Sequence, residues 1–304
     1  MKIVKQINTR KNMGVSELVK EMSLSNVFGA GRLARAVDIA EKMIKDKQCR
    51  VFFGLAGAMV PGGMKNIIID MMENHWIDVF VTTGANLTHD LIEALGMSHY
   101  QGSSDADDKK LHKIGIDRIY DSFMPNKAYE KLEDFFNKNF EKLAKEKDIS
   151  SFLWRLGSLA PKNSILNACY KNKIPIFCPA IADSGIGLMI WGHLARNKSI
   201  DVKAFDDLKE ILDIAWTAKK TAVFYIGGGV PKNYIQQSMQ FSKGASYGIQ
   251  ITMDRPEPGG SSGANLKEGI SWGKMNKKAD FVDLICDATI ALPIIHAALK
   301  DRIN

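Results

Sequence analysis

TAVFYIGGGVPKNYIQQ, residues 221–237, sets the reading of the whole chain. Its first six residues are an almost unbroken apolar run, β-rich and too short for a core helix. Three glycines follow at once, and a helical segment is expected over 233–243. A strand apolar on successive residues is buried on both faces, the environment of a parallel sheet covered by helices. The same pattern recurs outward in both directions. Short apolar runs predict strands at 50–55, 78–82, 174–178, 247–252 and 282–286. Helices are expected at 32–46, 64–74, 89–95, 164–172, 186–195, 205–219 and 293–302, with Asn86 and Thr88 as N-caps of the third. This alternation makes the class α/β: a single Rossmann-like, doubly wound domain over 1–304, its sheet mostly parallel with helices on both faces. Residues 105–150 carry few strand signals and read as a helical excursion within that domain.

Composition narrows the function classes. The 304 residues hold 41 Lys and Arg against 34 Asp and Glu, a net charge of +7, with 45% hydrophobic and 25% charged residues. Those fractions exclude a disordered or fibrous chain. The first residues, MKIVKQINTRKNMG, lack an apolar core, and the longest apolar runs fall far short of the ~20 residues that span a bilayer. A soluble, cytoplasmic protein with no membrane partner is therefore expected. The lysines are scattered among acids, so no nucleic-acid partner is expected either. Cys49, Cys169, Cys178 and Cys286 form no CxxC pair, which predicts reduced, buried thiols and no metal site.

The glycines fall at the ends of the expected strands: GLAGAMVPGG (54–63), TTGAN (82–86), ADSGIG (182–187), GGGVPK (227–232) and DRPEPGGSSGAN (254–265). In an open α/β sheet, ligands bind beyond the carboxyl ends of the strands. Small residues there let backbone N–H groups and helix N-termini approach a phosphate. The loops suit a dinucleotide, although no GxGxxG with its acidic partner is present and packing alone also explains glycine turns.

EGISWGK (268–274) stands apart, with a tryptophan and a lysine flanking a glycine. A lysine against aromatic surface is partly desolvated and can act as a nucleophile, while the Trp face can hold a cation. A solvated Lys274 beside a half-buried Trp272 is the competing reading. His89 follows TTGAN and either touches a ligand at that strand end or points to solvent. Asp183 and Asp287 end strands and are the acids best placed for ribose hydroxyls. His296 lies on an apolar helix and reads as structural, and His75, His99, His112 and His193 have no recognisable partner. There is no GxSxG, HExxH or P-loop.

Together, DVFVTTGANLTHDLIEALG, PIFCPAIADSGIG, GGGVPKNYIQQ, GGSSGANLKEGISWGK and CDATIALP resemble the deoxyhypusine synthase family over nearly the whole chain. The resemblance implies NAD as cofactor, a homotetramer, and spermidine or a related polyamine as substrate. It implies oxidation of spermidine, loss of diaminopropane and capture of the aminobutyl group on an enzyme lysine as an imine. A lysine of the hypusine-bearing translation factor is the implied acceptor. By position, Lys274 matches the imine-forming lysine, Trp272 the aromatic wall and Glu268 an amine-binding acid. Thr82, Thr83, Gly84, Asp183, Gly227, Gly228, Asp287, Ala288 and Thr289 match cofactor-contacting positions.

The departures gather at the amine site. Asn233 stands where the family carries a catalytic histidine, and Leu188, His89 and Ser261 stand where it carries acids. Asn233 and His89 are accordingly placed among the substrate-binding positions with altered chemistry. Two alternatives stay open: a polyamine synthase of homospermidine type that transfers the group to a small amine, and a non-catalytic nucleotide-binding scaffold.

Overall fold

The apolar run at 221–226 becomes a strand at the centre of its sheet. In the computed structural model, which describes residues 1–303, the chain opens with α1 (Val15–Ser25), α2 (Phe28–Lys45), β1 (Cys49–Leu55), α3 (Lys65–Glu73), β2 (Val79–Thr82) and α4 (Gly84–Ala94). It continues through β3 (Tyr100–Gln101), α5 (Asp108–Lys113), β4 (Ile116–Ile119), β5 (Ser122–Pro125), α6 (Lys127–Leu143), α7 (Ile149–Leu159) and α8 (Ile165–Asn172). The remainder is β6 (Ile176–Phe177), α9 (Gly185–Leu194), α10 (Ala204–Thr217), β7 (Lys220–Ile226), α11 (Gly229–Gln240), β8 (Ala245–Thr252), a 3-10 turn (Leu266–Ile270), β9 (Met275–Ile285) and α12 (Ala288–Arg302). Two compact units emerge: the first holds residues 1–56, 76–81 and 208 onward, the second residues 57–75 and 82–207.

In the first unit the strand order is β2-β1-β7-β8-β9. β1 runs parallel to β7, with Phe53 opposite Phe224, and β7–β8 and β8–β9 are parallel as well. Every residue from Val51 to Leu55 and from Thr221 to Ile226 is buried, as continuous apolar runs require. Phe53 stacks on Phe80 at 6.1 Å and meets Phe224 edge-on at 5.3 Å, joining three neighbouring strands through one aromatic row. α2 lies against β8 and β9, and α11 against β1 and β7. β9 begins seven residues before the expected 282. Its first half, MNKKAD, is polar and gives no apolar signal; Asp280 there binds Lys42 and Arg35 of α2 at 2.7 and 2.9 Å.

The second unit corrects the expectation for 105–150. That stretch holds not only α5 and α6 but also β4 and β5, which pair antiparallel, with β3 beside β5. These strands are short and only partly buried, and the polar Asp117 and Arg118 interrupt them, so periodicity is a poor guide. Arg118 closes the hairpin region by a forked bond to Asp108 at 2.7 and 2.8 Å.

The start of α4 also differs from its expected position. The N-cap is Thr83, whose Oγ1 accepts from the backbone N–H of Asn86, so the helix begins five residues before His89. Thr88 Oγ1 instead donates to the Gly84 carbonyl and accepts from the Ile186 N–H. Gly84 cannot be replaced without movement, because a Cβ there would lie 2.5 Å from Ser184 Cβ.

Deeper in α4, the fully buried Asp90 accepts from the N–H groups of Ile165 and Leu166 at 2.8 and 3.1 Å, anchoring the start of α8. Burial pushes its carboxyl up to about 7, against the pull of those two bonds. Asp90→Ala is expected to lose ~2–4 kcal/mol by stranding both donors, and Asp90→Asn less, because one acceptor stays. Urea unfolding reads the difference; equal midpoints for Asp90→Ala and the unmodified protein would remove the anchor.

Among the described residues, no helix is long and apolar enough to cross a membrane. Cys169 and Cys178 are buried, whereas Cys49 and Cys286 are half-buried.

Candidate active site

A cleft of about 310 Å³ in the first unit collects Lys274, Trp272, Glu268 and Asn233. One wall is α11, from Asn233 near its start to Gln240 at its end. The other is the segment from Gly259 through the 3-10 turn to Lys274. Local geometry delivers the lysine. Three residues past the 3-10 turn, Gly273 turns the chain at φ +72°, and the Lys274 N–H donates to the Gly269 carbonyl at 2.8 Å. The Lys274 carbonyl accepts from the Ala245 N–H at 3.0 Å, tying it to the first residue of β8. Lys274 therefore sits at the amino-terminal side of β8 and β9, and the cleft runs along α11 rather than lying only at the carboxyl edge.

The Lys274 Nζ lies 5.0 Å from the centroid of the Trp272 ring. This cation–π geometry holds the amine over an aromatic face that is itself 58% exposed. Glu268 is exposed and supplies the carboxylate of this lining; Asn233, Gln236, Gln237 and Gln240 supply carboxamides. The combination can hold an amine, keep a second amine within reach of Lys274, and exchange an imine between them.

The deeply buried lysine here is Lys232, the last residue of GGGVPK, which the sequence reading passed over. It is 1% exposed, and its Nζ donates to the carbonyls of Ser261 and Ala264 at 2.5 and 2.6 Å. Burial pulls its pKa down to about 8, partly opposed by the nearby Asp283 and Glu268. Asp283 accepts the Leu266 N–H at 2.9 Å, and burial raises its carboxyl above the usual range. Gln250 donates to the Ser262 carbonyl at 3.1 Å. These bonds fold the GGSSGAN loop down as one wall of the cleft. A lysine buried by an apolar strand and a glycine turn is a signal available in sequence; its carbonyl acceptors are not.

The expected cofactor positions fall into both units. In the first, Gly227 and Gly228 follow β7, and Gly227 and Gly229 have φ of +68° and +56°. A Cβ on Gly228 would lie 2.3 Å from Ser262 Cα, so this turn and the GGSSGAN loop need a glycine to meet. No side chain caps α11, and a Cβ on Gly229 would meet nothing within 4 Å, leaving the helix N-terminus open to an anion. Asp287 caps α12, with one carboxylate oxygen accepting from the Thr289 N–H and hydroxyl at 2.7 and 2.8 Å; Ala288 is the first residue of the helix.

In the second unit, the contact of Gly84 with Ser184 brings the Thr82–Thr83–Gly84 turn beside the turn that carries the exposed Asp183. Taken by itself, the first unit offers a glycine turn and the uncapped start of α11, which fit a phosphate, and an exposed Asp287, which fits a hydroxyl; the second offers the Gly84 helix start and an exposed Asp183.

Among the altered positions, Ser261 and Asn233 line the cleft. Leu188 lies elsewhere, in an apolar pocket of about 390 Å³ in the second unit with Phe152, Ile186 and Trp191. His89, in the second unit, bonds through Nδ1 to His99 at 2.9 Å.

The family model for deoxyhypusine synthase matches residues 17–299. "Probable deoxyhypusine synthase 1" of Methanosarcina mazei is 46% identical over 296 residues, covering 96% of this chain and 93% of that protein. The protein of the same name from Archaeoglobus fulgidus is 41% identical over 294 residues, covering 96% of each. A crystal structure assigned to deoxyhypusine synthase from Entamoeba histolytica shares the fold, with a TM-score of 0.63 at 19% identity, over 95% of this chain and 93% of that one. The match spans the sheet, both glycine turns and the Lys274 segment alike: the chain belongs to the deoxyhypusine synthase family.

Proposed function

We propose that this enzyme makes deoxyhypusine by NAD-dependent transfer of the aminobutyl group of spermidine through Lys274. The observation that carries this reading is the Lys274 amine held over Trp272, with Glu268 in the same cleft. The secondary amine of spermidine loses a hydride and a proton to become an imine. The Lys274 Nζ adds to the imine carbon, diaminopropane leaves, and the aminobutyl group remains as an imine on Lys274. An acceptor lysine of the hypusine-bearing factor adds in turn, Lys274 is freed, and the new imine is reduced.

NAD, when bound, accepts the hydride and returns it. The Thr82–Thr83–Gly84 and Gly227–Gly228 turns, Asp183 and Asp287–Ala288–Thr289 would hold it. Glu268 binds a terminal ammonium of the substrate, and Trp272 shields the polyamine stem. The reading includes a homotetramer working in the cytoplasm. The exposed Leu188, Trp191 and Leu194 around the second unit's apolar pocket support self-association.

A second reading is favoured by Asn233 and Ser261, which line the cleft where the family carries a histidine and an acid. It keeps the chemistry and replaces the protein acceptor by a small diamine, as in homospermidine synthesis.

Incubating the enzyme with NAD and spermidine labelled in its aminobutyl carbons, then reducing with borohydride, tests both readings. Label trapped on the enzyme and passed to the translation factor supports deoxyhypusine synthesis. Label passed only to putrescine replaces it with the second reading, and no trapped label with any amine overturns both.

A further inference from the structure

The Lys274 cleft is not the only cavity along α11. Asn233, Gln237 and Gln240 line the cleft, and the same three residues line a second cavity of about 550 Å³ between α11 and α10. Spaced i, i+4 and i+7, they form one exposed ridge along the helix. On the far side of that ridge the cavity is walled by Leu208 and Leu212 of α10 and by Val230 and Phe241 at the two ends of α11. The leucines are half-buried, whereas Val230 and Phe241 are 45% and 57% exposed. Both cavities lie wholly within the first unit.

The two cavities differ in charge. The cleft is lined by one carboxylate, Glu268, and one amine, Lys274, while no charged side chain lines the cavity beyond the ridge. A small diamine carries an ammonium at each end. With Glu268 engaged by the donor, a diamine acceptor lying across the ridge would put its far ammonium among apolar side chains, short of hydration and with no counter-charge. A polypeptide has different needs. Its peptide groups are uncharged, and each carboxamide of the ridge offers them both a donor and an acceptor. The length fits as well. From Val230 to Phe241 the helix rises ~16 Å, the span of about five extended residues.

We propose that the α10–α11 groove docks the acceptor. An extended, uncharged polypeptide segment lies along the Asn233–Gln237–Gln240 ridge, its apolar side chains enter the groove, and its lysine crosses the ridge to Lys274. This rests on the proposed aminobutyl transfer and names the acceptor class that the cleft serves. Continuity fixes the occupant, because whatever reaches Lys274 along α11 lies on residues that the groove shares. An asparagine at 233 suits this use, since a carboxamide bonds a peptide group without exchanging a proton.

The test uses the whole enzyme with NAD, labelled spermidine, and either the translation factor or putrescine as acceptor. Phe241 lines the groove and not the cleft, so Phe241→Glu puts a carboxylate on the exposed rim of the groove alone. Borohydride-trapped label and transfer to putrescine should stay within about twofold, which also shows that the variant folds. KM for the factor should rise at least ~10-fold, the loss expected for one buried aromatic anchor. Phe241→Leu, which keeps an apolar side chain, should restore most of it.

An unchanged KM for the factor in Phe241→Glu overturns the proposal, as does label that the unmodified enzyme passes only to putrescine. A changed sedimentation coefficient in Phe241→Glu also overturns it, since a second copy would then cover the groove. If the unmodified enzyme traps no label, the proposed function fails. Titration of the factor onto the enzyme, read by fluorescence anisotropy, then still decides the groove: weaker binding by Phe241→Glu supports docking there, and equal binding overturns it.

Discussion

Lys274→Arg is expected to abolish borohydride-trapped label and to lower aminobutyl transfer at least ~10³-fold, while NAD affinity stays within about twofold. Arginine keeps the positive charge and can keep the cation–π contact with Trp272, 5.0 Å from the present amine. It removes only the nucleophile, because a guanidinium stays protonated and forms no stable imine. The substitution therefore separates charge from chemistry at one atom. Binding should survive, since the expected cofactor positions lie in other segments. Dye-free equilibrium dialysis with NAD, paired with the trapping assay, gives both readouts from one preparation. Retained trapping in Lys274→Arg would mean that another amine carries the group.

The second large effect is expected at Lys232→Met. The methionine preserves most of the buried volume but leaves the Ser261 and Ala264 carbonyls without their donor. Both residues line the cleft, so the loop should loosen, raising KM for the amine at least ~10-fold and costing ~2–4 kcal/mol of stability.

This residue also predicts a pH dependence. The folded pKa of about 8 lies below the unfolded value of 10.5, so the unfolded chain binds more protons between those limits. Stability from this group is therefore lowest below pH 8 and rises as pH climbs through the window. The pin itself persists there, because a neutral amine still has two N–H groups for two carbonyls. Guanidinium unfolding at pH 7.5 and 9.5 should show the gap between the unmodified protein and Lys232→Met widening by about 1–2 kcal/mol. A gap independent of pH, together with an unchanged KM, would remove Lys232 from the architecture of the site.

Much of this site was legible before any coordinate. The apolar runs at 50–55 and 221–226 could only be strands covered on both faces, and they became β1 and β7. GGGVPK read as a turn that either admits a phosphate or serves packing alone, and its place at the end of a strand was legible. EGISWGK placed Trp272 and Lys274 two residues apart, and the 3-10 turn brings one over the other as that spacing suggests.

Other features stayed hidden for physical reasons. β4 and β5 are four residues each and only partly buried, so their alternation carries little contrast. The first half of β9 is stabilised by ion pairs to α2, and charge has no strand period. His99 looked partnerless because its two partners lie six and ten residues back, across the end of α4. Lys232 reads in the sequence as a lysine close to an apolar strand and a glycine turn, but its acceptors, two backbone carbonyls about thirty residues away, come into place only in the fold.

The sequence by itself determined the α/β class, the glycine turns and the family, and it singled out Lys274 as the candidate nucleophile. Each is encoded in neighbours along the chain: side-chain period, turn chemistry, or a contiguous motif. Only the tertiary structure decided that the cleft follows α11, that Lys232 is its buried clamp, and that His89 meets His99. Those depend on hydrogen bonds between distant segments, often to backbone atoms that every residue shares, and such bonds acquire partners only when the chain closes on itself.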